Sequence, residues 1–395
     1  MKTKLTKLFV EFFESEKASG IVLILAMFAS IVIANSEFGK GYLELWNFKV
    51  GFEVGEIISL KYSLQHWIND GLMGIFFFLI GLEIERELYV GELSNPKNAS
   101  LPIIAAIGGM AMPALLHFLL NQGTETQSGA GIPMATDIAY ALGVLALLGN
   151  KVPMSLRIFL AALAIIDDLG AIIVIGLFYV KDFSLLYFGL AIGIFAGLLV
   201  LNRLRILWLP LYLVPGLIMW YFMLKSGVHP TISGVLLAFA IPFGKGDNKS
   251  PSYKLQHFLN KPVAFIIMPL FALANTGIVL TGNLIEGLAT PNSLGIFAGL
   301  FAGKPLGIVL FSLLAVKCGL SQLPDEVDWK HIVGAGFLGG IGFTMSIFIT
   351  LLAFGNPAII ESSKVSILLS SFLAGTVGFF ILKNQSARIS NRSLW

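Results

Sequence analysis

The sequence predicts an all-α polytopic membrane protein, and three observations carry that expectation. Of 395 residues, 56% are hydrophobic and only 12% charged, against about 25% charged in an ordinary soluble domain. The apolar residues fall into about twelve long runs, and at ~1.5 Å per residue most of them can cross a hydrocarbon layer of ~30 Å. Phe (32) and Gly (42) are both frequent, as expected where helices meet lipid and pack closely on one another. A net charge of +3 is too small to imply nucleic acid, and the lone Cys318 excludes a disulfide framework and a cysteine-only metal site. The five histidines show no HxxxH or HExxH spacing, so no zinc site is indicated, and no GxxxxGK[ST] marks a nucleotide site. No motif of an enzyme and no cofactor site is indicated.

Taken in order, residues 1–17 set Lys2, Lys4, Lys7, Glu11, Glu14, Glu16 and Lys17 around Leu5, Leu8, Phe9, Val10, Phe12 and Phe13. That pattern is an amphipathic helix lying on the membrane surface, in preference to a cleaved signal. Helix 1 follows at 18–34. Residues 36–62 mix charged and aromatic positions with glycine and read as a long external loop with room for a small β-hairpin. Helix 2, at 64–89, carries Asp70 near one end and Glu83, Glu85, Arg86 and Glu87 near the other. Its uncharged run 71–82 is too short to span alone, so its ends should line water-filled vestibules. Further spans are expected at 101–120, 131–148, 158–180, 185–201 and 207–224. The remaining ones run from His229-Pro230 to Phe243 and over 255–279, 293–316, 332–352 and 365–382. One membrane domain is expected over 18–383, followed by a tail at 384–395. Most of the 26 Lys and Arg fall on the same side as the N-terminus, which makes both termini cytoplasmic.

The fifth span holds two adjacent carboxylates, Asp167 and Asp168, near its middle. Each costs roughly 2.5–3.5 kcal/mol on insertion scales, so an intramembrane pair is a candidate functional site. Carboxylates at a short helix end would be the plainer reading, but these lie centrally. Spans 3–5 and 10–12 form two similarly spaced trios that start on opposite membrane faces, as inverted repeats do. The middle member of each is dense in helix breakers: Gly131, Pro133 and Gly143 in one, and Gly334, Gly336, Gly339, Gly340 and Gly342 in the other. Interrupted helices at matching positions point to a midplane binding site; for the second member alone, glycines that merely allow close packing explain the pattern equally well. Two crossing broken helices bring together partial charges of about +0.5 at their N-termini and −0.5 at their C-termini. One buried acid and one buried base are needed there, and Asp137 and Lys304 are available. Lys304 lies too deep to snorkel to an interface.

Four segments then carry a resemblance: Thr136-Asp-Ile-Ala-Tyr-Ala-Leu-Gly143, Ala164-Ile-Ile-Asp-Asp-Leu-Gly170, Gly303-Lys-Pro-Leu-Gly307 and Gly340-Ile-Gly-Phe-Thr-Met-Ser-Ile-Phe348. The chain resembles the NhaA family of Na+/H+ antiporters from about residue 18 to about residue 380. The resemblance implies inverted repeats with discontinuous helices 4 and 11, a β-hairpin in the loop 36–62, and a homodimer in a bacterial inner membrane. It also implies electrogenic exchange of cytoplasmic Na+ or Li+ for inward-bound H+. Asp168 would be the primary cation and proton ligand and Asp167 the second carboxylate, able to pair with Lys304. Thr136 and Asp137 would sit at the helix crossing, Asp70 toward the periplasm, and Glu83 and Glu87 at the cytoplasmic entrance.

Elementary chemistry agrees with that role. A hard cation wants oxygen ligands, and a carboxylate near a membrane centre holds protons more tightly because desolvation disfavours its charged form. A site that takes a cation or protons, but not both, performs antiport once access alternates. The alternative is a proton-coupled transporter of another small ion or an organic anion. An organic anion would want buried Arg, and the membrane interior offers only Lys304. An intramembrane aspartyl protease needs two aspartates from separate helices, and a passive channel needs no proton-linked site. One departure stands out in the stretch Lys254-Leu-Gln-His-Phe-Leu-Asn260: Gln256 replaces an acid and Asn260 a histidine of the cluster that the resemblance links to pH activation. The expectation is a shallower or shifted pH response. His229 and His257 could each titrate near neutrality or serve as structural hydrogen-bonding groups at helix ends.

Overall fold

The structure is a computed structural model that describes residues 2–54, 58–149, 152–280 and 287–392, with side chains over 18–53, 60–149, 152–280 and 287–385. The side chains of the stretch 1–17 and most of those in the tail 384–395 therefore lie outside the described residues. Among the described residues, eight helices are long and apolar enough to cross a bilayer. They are Leu64–Tyr89, Pro96–Leu120, Gln127–Leu147, Met154–Phe178, Leu185–Arg203, Pro251–Asn275, Pro291–Lys317 and Pro357–Gln385. Two bent pairs qualify as well: Ala18–Ala34 with Gly39–Asn47, at 114°, and Trp329–Gly339 with Phe343–Ala353, at 45°. Pro210–Ser226 and Ile232–Ala240 are shorter helices. The protein is an all-α, polytopic membrane protein.

Helix starts follow one local grammar. Asn95, Ser250 and Thr290 each stand immediately before a proline and accept a hydrogen bond from a backbone N–H of the first turn: Lys97 at 3.1 Å, Tyr253 at 3.4 Å and Ser293 at 3.3 Å. The cap fills a donor the helix cannot, and the proline gives up an N–H that would be orphaned anyway. Helix Trp329–Gly339 uses a capping box instead. Asp328 Oδ1 accepts from the His331 N–H at 2.9 Å, and His331 Nδ1 accepts from the Asp328 N–H at 3.2 Å.

Contacts divide the chain into two compact units. One comprises residues 1–22, 91–171 and 281–395, and the other residues 23–90 and 172–280. Within the first unit, helices approach through glycine. A Cβ on Gly307 would stand 2.0 Å from the Gly108 carbonyl oxygen, and one on Gly170 2.2 Å from Met110 Sδ. At Gly307 the neighbour is backbone, so nothing larger fits at that crossing. The second unit packs Leu82, Ala191, Leu198, Tyr212, Met219, Met223 and Ile241 into a common core.

The loop expected over 36–62 is partly something else. Gly39–Asn47 is a helix, and only the remainder forms paired strands: Lys49–Val50 with Tyr62–Ser63, and Glu53–Val54 with Ile58–Ser59. Phe38, Tyr42 and Trp46 recur every four residues, a helical period obscured by the surrounding aromatic and glycine content. Tyr42 and Trp46 meet edge to face at 5.6 Å, and the Tyr42 hydroxyl donates to the Leu273 carbonyl at 2.7 Å. That tertiary contact anchors a helix too short to persist alone.

Burial alone would raise the Asp328 carboxyl, but the His331 N–H, the nearby imidazole and the Gln385 amide outweigh it and hold the group below the usual carboxylate range. A depressed acid contributes its stability above its unfolded pKa and loses it as pH falls through the folded one. The cap is therefore intact at neutral pH and fails only in acid. Asp328→Ala is expected to cost about 0.5–2 kcal/mol at neutral pH. Thermal melting of the purified variant should show this deficit at pH 7 and shrink it in acid.

Candidate ion-binding site

The first unit contains two interruptions in its helices. The segment Gln127–Met134 is a tight 3₁₀ stretch, residues 135–137 leave the helix, and an α-helix resumes at Ile138–Leu147. The second break falls at residues 340–342, between Trp329–Gly339 and Phe343–Ala353. The two breaks touch: the Asp137 N–H donates to the Ile341 carbonyl at 2.7 Å, and Ser346 Oγ donates to the Ile132 carbonyl at 2.7 Å.

Each broken end finds a partner. Asp137 is buried, and its carboxylate accepts from the Tyr140 N–H at 2.9 Å and the Thr344 N–H at 3.1 Å. Those donors belong to the N-termini of the two resumed half-helices, so one negative group faces both partial positive charges. The Thr344 hydroxyl donates to the same carboxylate. Lys304 serves the opposite ends. Its Nζ donates to the Met134 carbonyl, the end of the first half-helix, and lies 2.8 Å from Asp167 Oδ2. Thr136 Oγ1 stands 2.7 Å from Asp167 Oδ2 and 2.8 Å from the Gly339 carbonyl, where the other half-helix ends. Its single proton serves one of those acceptors at a time.

Lys304 and Asp167 are both fully buried, and Asp168 is 1% exposed. The Lys304 stem passes beside Gly109 and Gly339, where a Cβ would stand 4.0 and 3.9 Å from its Cε, at ordinary van der Waals range. Asp167 Oδ1 is a buried oxygen with no hydrogen-bond donor among the described residues. Asp168, next on the same helix, lies within electrostatic reach of Lys304. The assembly offers carboxylate oxygens, a hydroxyl and helix-end carbonyls around one lysine, a donor set suited to a hard monovalent cation or to protons.

The other residues singled out in the sequence lie in the second unit. Asp70 contacts two imidazoles, His66 Nε2 at 3.2 Å and His229 Nε2 at 3.6 Å. Glu83 faces Gln256, the position where an acid was expected. Glu87 pairs with Arg86 at 2.9 Å. His257 is exposed, its ring parallel to that of Tyr253 at 6.1 Å. Several partners went unassigned in the sequence reading. Ser371 accepts from the N–H groups of Gly342 and Phe343 at 3.2 Å, and Glu85, 3% exposed, accepts from the Ser252 hydroxyl at 2.9 Å. Nothing in the local pattern marks a serine as the cap of another helix. Thr344 did lie within a recognised motif.

A polytopic helical protein whose buried charges gather at two broken helices is built as a secondary transporter. Residues 10–382 match the family described as Na+/H+ antiporter 1. The chain is 61% identical over 380 residues to the Na(+)/H(+) antiporter NhaA of Flavobacterium psychrophilum, across 96% of this chain and 97% of that protein. The protein of the same name from Dechloromonas aromatica is 60% identical over 385 residues, with the same shares covered. That of Cytophaga hutchinsonii is 56% identical over 382, across 96% of each. This chain belongs to the Na+/H+ antiporter 1 family.

Lys304→Ala strands the Asp167 carboxylate and is expected to destabilise the protein by about 3–5 kcal/mol. Adding Asp167→Asn should recover part of that loss. Melting of the purified proteins in detergent checks the order, and a single variant at least as stable as the double would contradict it.

Proposed function

We propose that this chain moves Na+ or Li+ out of the cytoplasm in exchange for external H+, by competition at Asp167 and Asp168 under alternating access. Na+/H+ exchange follows from membership of the family. The observation that carries the site assignment is the buried carboxylate pair within Met154–Phe178, with Asp167 held by Lys304 and Thr136 where two helices break. Asp168 is the primary ligand and Asp167 the second. A bound cation competes with Lys304 for Asp167, and protons on the carboxylates displace the cation. Because the site is desolvated, holding a cation and a full complement of protons together is disfavoured. No second coupling site is required.

The architecture assigned to this function is twelve spans, with helices 3–5 and 10–12 as inverted repeats. Breaks in Gln127–Leu147 and in Trp329–Gly339 with Phe343–Ala353, the middle members of those trios, support it. Residues 18–383 act as one antiporter domain in the bacterial inner membrane, as a homodimer with both termini cytoplasmic, the surface helix 1–17 before it and the tail 384–395 after it. The Lys and Arg distribution supports that orientation. Asp70 then lies toward the outside, and Glu83, Glu87 and His257 toward the cytoplasm.

The central test loads proteoliposomes with a pH-sensitive dye and imposes an acid-inside gradient. External NaCl or LiCl should restore the dye signal while KCl does not, and Asp168→Asn should abolish the response. Equal responses to K+, or an Asp168→Asn variant as active as the original chain, would sink the site assignment. A second expectation concerns Gln256 and Asn260. The double substitution Gln256→Glu with Asn260→His is expected to steepen or shift the transport-versus-pH curve, and superimposable curves would refute that role.

A further inference from the structure

We propose that Ser371 is a positioning residue for ion binding, one that sets how tightly the site holds Na+ or Li+; the inference rests on the antiport reading with its ions at Asp167 and Asp168. Ser371 lies on the helix Pro357–Gln385, outside both broken helices. Its hydroxyl oxygen accepts from the N–H groups of Gly342 and Phe343, both at 3.2 Å. A hydroxyl oxygen has two lone pairs, and these two donors use both. The residue is 3% exposed, so bulk water is no substitute for it.

The helix face that carries Ser371 is shaped to hold the break. Ala374, Gly375 and Gly378 follow at the spacing of one helical face. A Cβ on Gly340 would stand 3.3 Å from the Ala374 Cβ, one on Gly375 3.3 Å from Ile341 Cδ1, and one on Gly378 3.1 Å from the Gly334 carbonyl oxygen. Small residues thus let the interrupted helix lie close along this face, and Ser371 adds the polar contact. Asp137 takes the next donor, the Thr344 N–H at 3.1 Å. Because the hydroxyl is neutral, it fixes the first turn of Phe343–Ala353 without altering the charge balance among Asp137, Asp167 and Lys304.

A short run of backbone links this contact to the carboxylates. The Gly339 carbonyl lies 2.8 Å from Thr136 Oγ1, which lies 2.7 Å from Asp167 Oδ2. The Ile341 carbonyl accepts from the Asp137 N–H at 2.7 Å. Residues 340–342 stand between two helices, so their position depends on what receives their N–H groups. The Gly336 and Leu338 carbonyls receive those of Gly340 and Ile341 at 3.1 Å, and Ser371 receives that of Gly342. Without the hydroxyl, the Gly342 and Phe343 N–H groups are left buried and unpaired, which drives the turn to rearrange. The Gly339 and Ile341 carbonyls then shift, and Thr136 meets Asp167 in a poorer arrangement. An oxygen set placed less well binds a cation more weakly, so the loss falls on binding and not on turnover.

The test follows Na+- and Li+-dependent H+ exchange in proteoliposomes of the full-length protein, at fixed pH and over a range of cation concentrations, so that apparent KM and maximal rate separate. Ser371→Ala removes the acceptor, and Ser371→Cys replaces it with a sulfur that accepts only weakly. Asn95→Ala, which removes the cap of Pro96–Leu120, shows what a lost helix cap does by itself. The expected result for Ser371→Ala is an apparent KM for Na+ raised roughly fivefold, the scale of one hydrogen bond, with a maximal rate within about twofold of the original. Ser371→Cys should raise KM in the same direction, and Asn95→Ala should melt lower with its KM unmoved. A Ser371→Ala variant that melts lower yet keeps the original KM would overturn the proposal and leave Ser371 a plain helix cap. A KM rise that Asn95→Ala matches, or a Ser371→Cys variant with the original KM, would overturn it as well. An unsubstituted chain that fails to move H+ in response to Na+, or an Asp168→Asn variant as active as the original, would instead strike at the antiport reading.

Discussion

Two helices that stop inside a membrane leave carbonyl and N–H groups with no water to receive them, and the site depends on how those groups are satisfied. Asp137 answers the two N-terminal ends through Tyr140 and Thr344, while Lys304 and Thr136 answer the two C-terminal ends at Met134 and Gly339. An unsatisfied buried polar group costs roughly 1–3 kcal/mol and a stranded charge more. Each break supplies part of the other's compensation.

That arrangement is expensive for stability and useful for transport. A buried ion pair such as Lys304 with Asp167 seldom outperforms a well-packed apolar pair, since desolvation offsets most of the attraction. Its value lies in being nearly balanced. Asp167 is shared between Lys304 and Thr136 on one oxygen, while the other is left without a donor among the described residues. Under the proposed exchange, a cation arriving at Asp167 would replace one positive partner by another. Glycine brings the helices together, because Gly108 against Gly307 lets two backbones approach where a side chain would hold them apart.

The second unit follows a different rule. Its acidic groups sit near the ends of Leu64–Tyr89 and meet polar groups: Asp70 meets His66 of its own helix and His229 of another segment, Glu85 meets Ser252, and Glu83 meets Gln256.

The amino-acid sequence by itself determined the class of protein and the position of its unusual charges. Long apolar runs can only be spanning helices, and Asp137, Asp167, Asp168 and Lys304 stand out because charge at that depth is costly. Its dense Gly and Pro also located both interruptions. What it could not supply was any relation that depends on two distant segments meeting. The helix Gly39–Asn47 needs a tyrosine anchored on Leu273, the Ser371 cap serves residues about thirty positions away, and Asp70 meets a second imidazole only because His229 arrives beside it. Periodicity and composition are local properties, whereas hydrogen bonds and charge compensation belong to pairs, and tertiary structure alone decides which pairs exist.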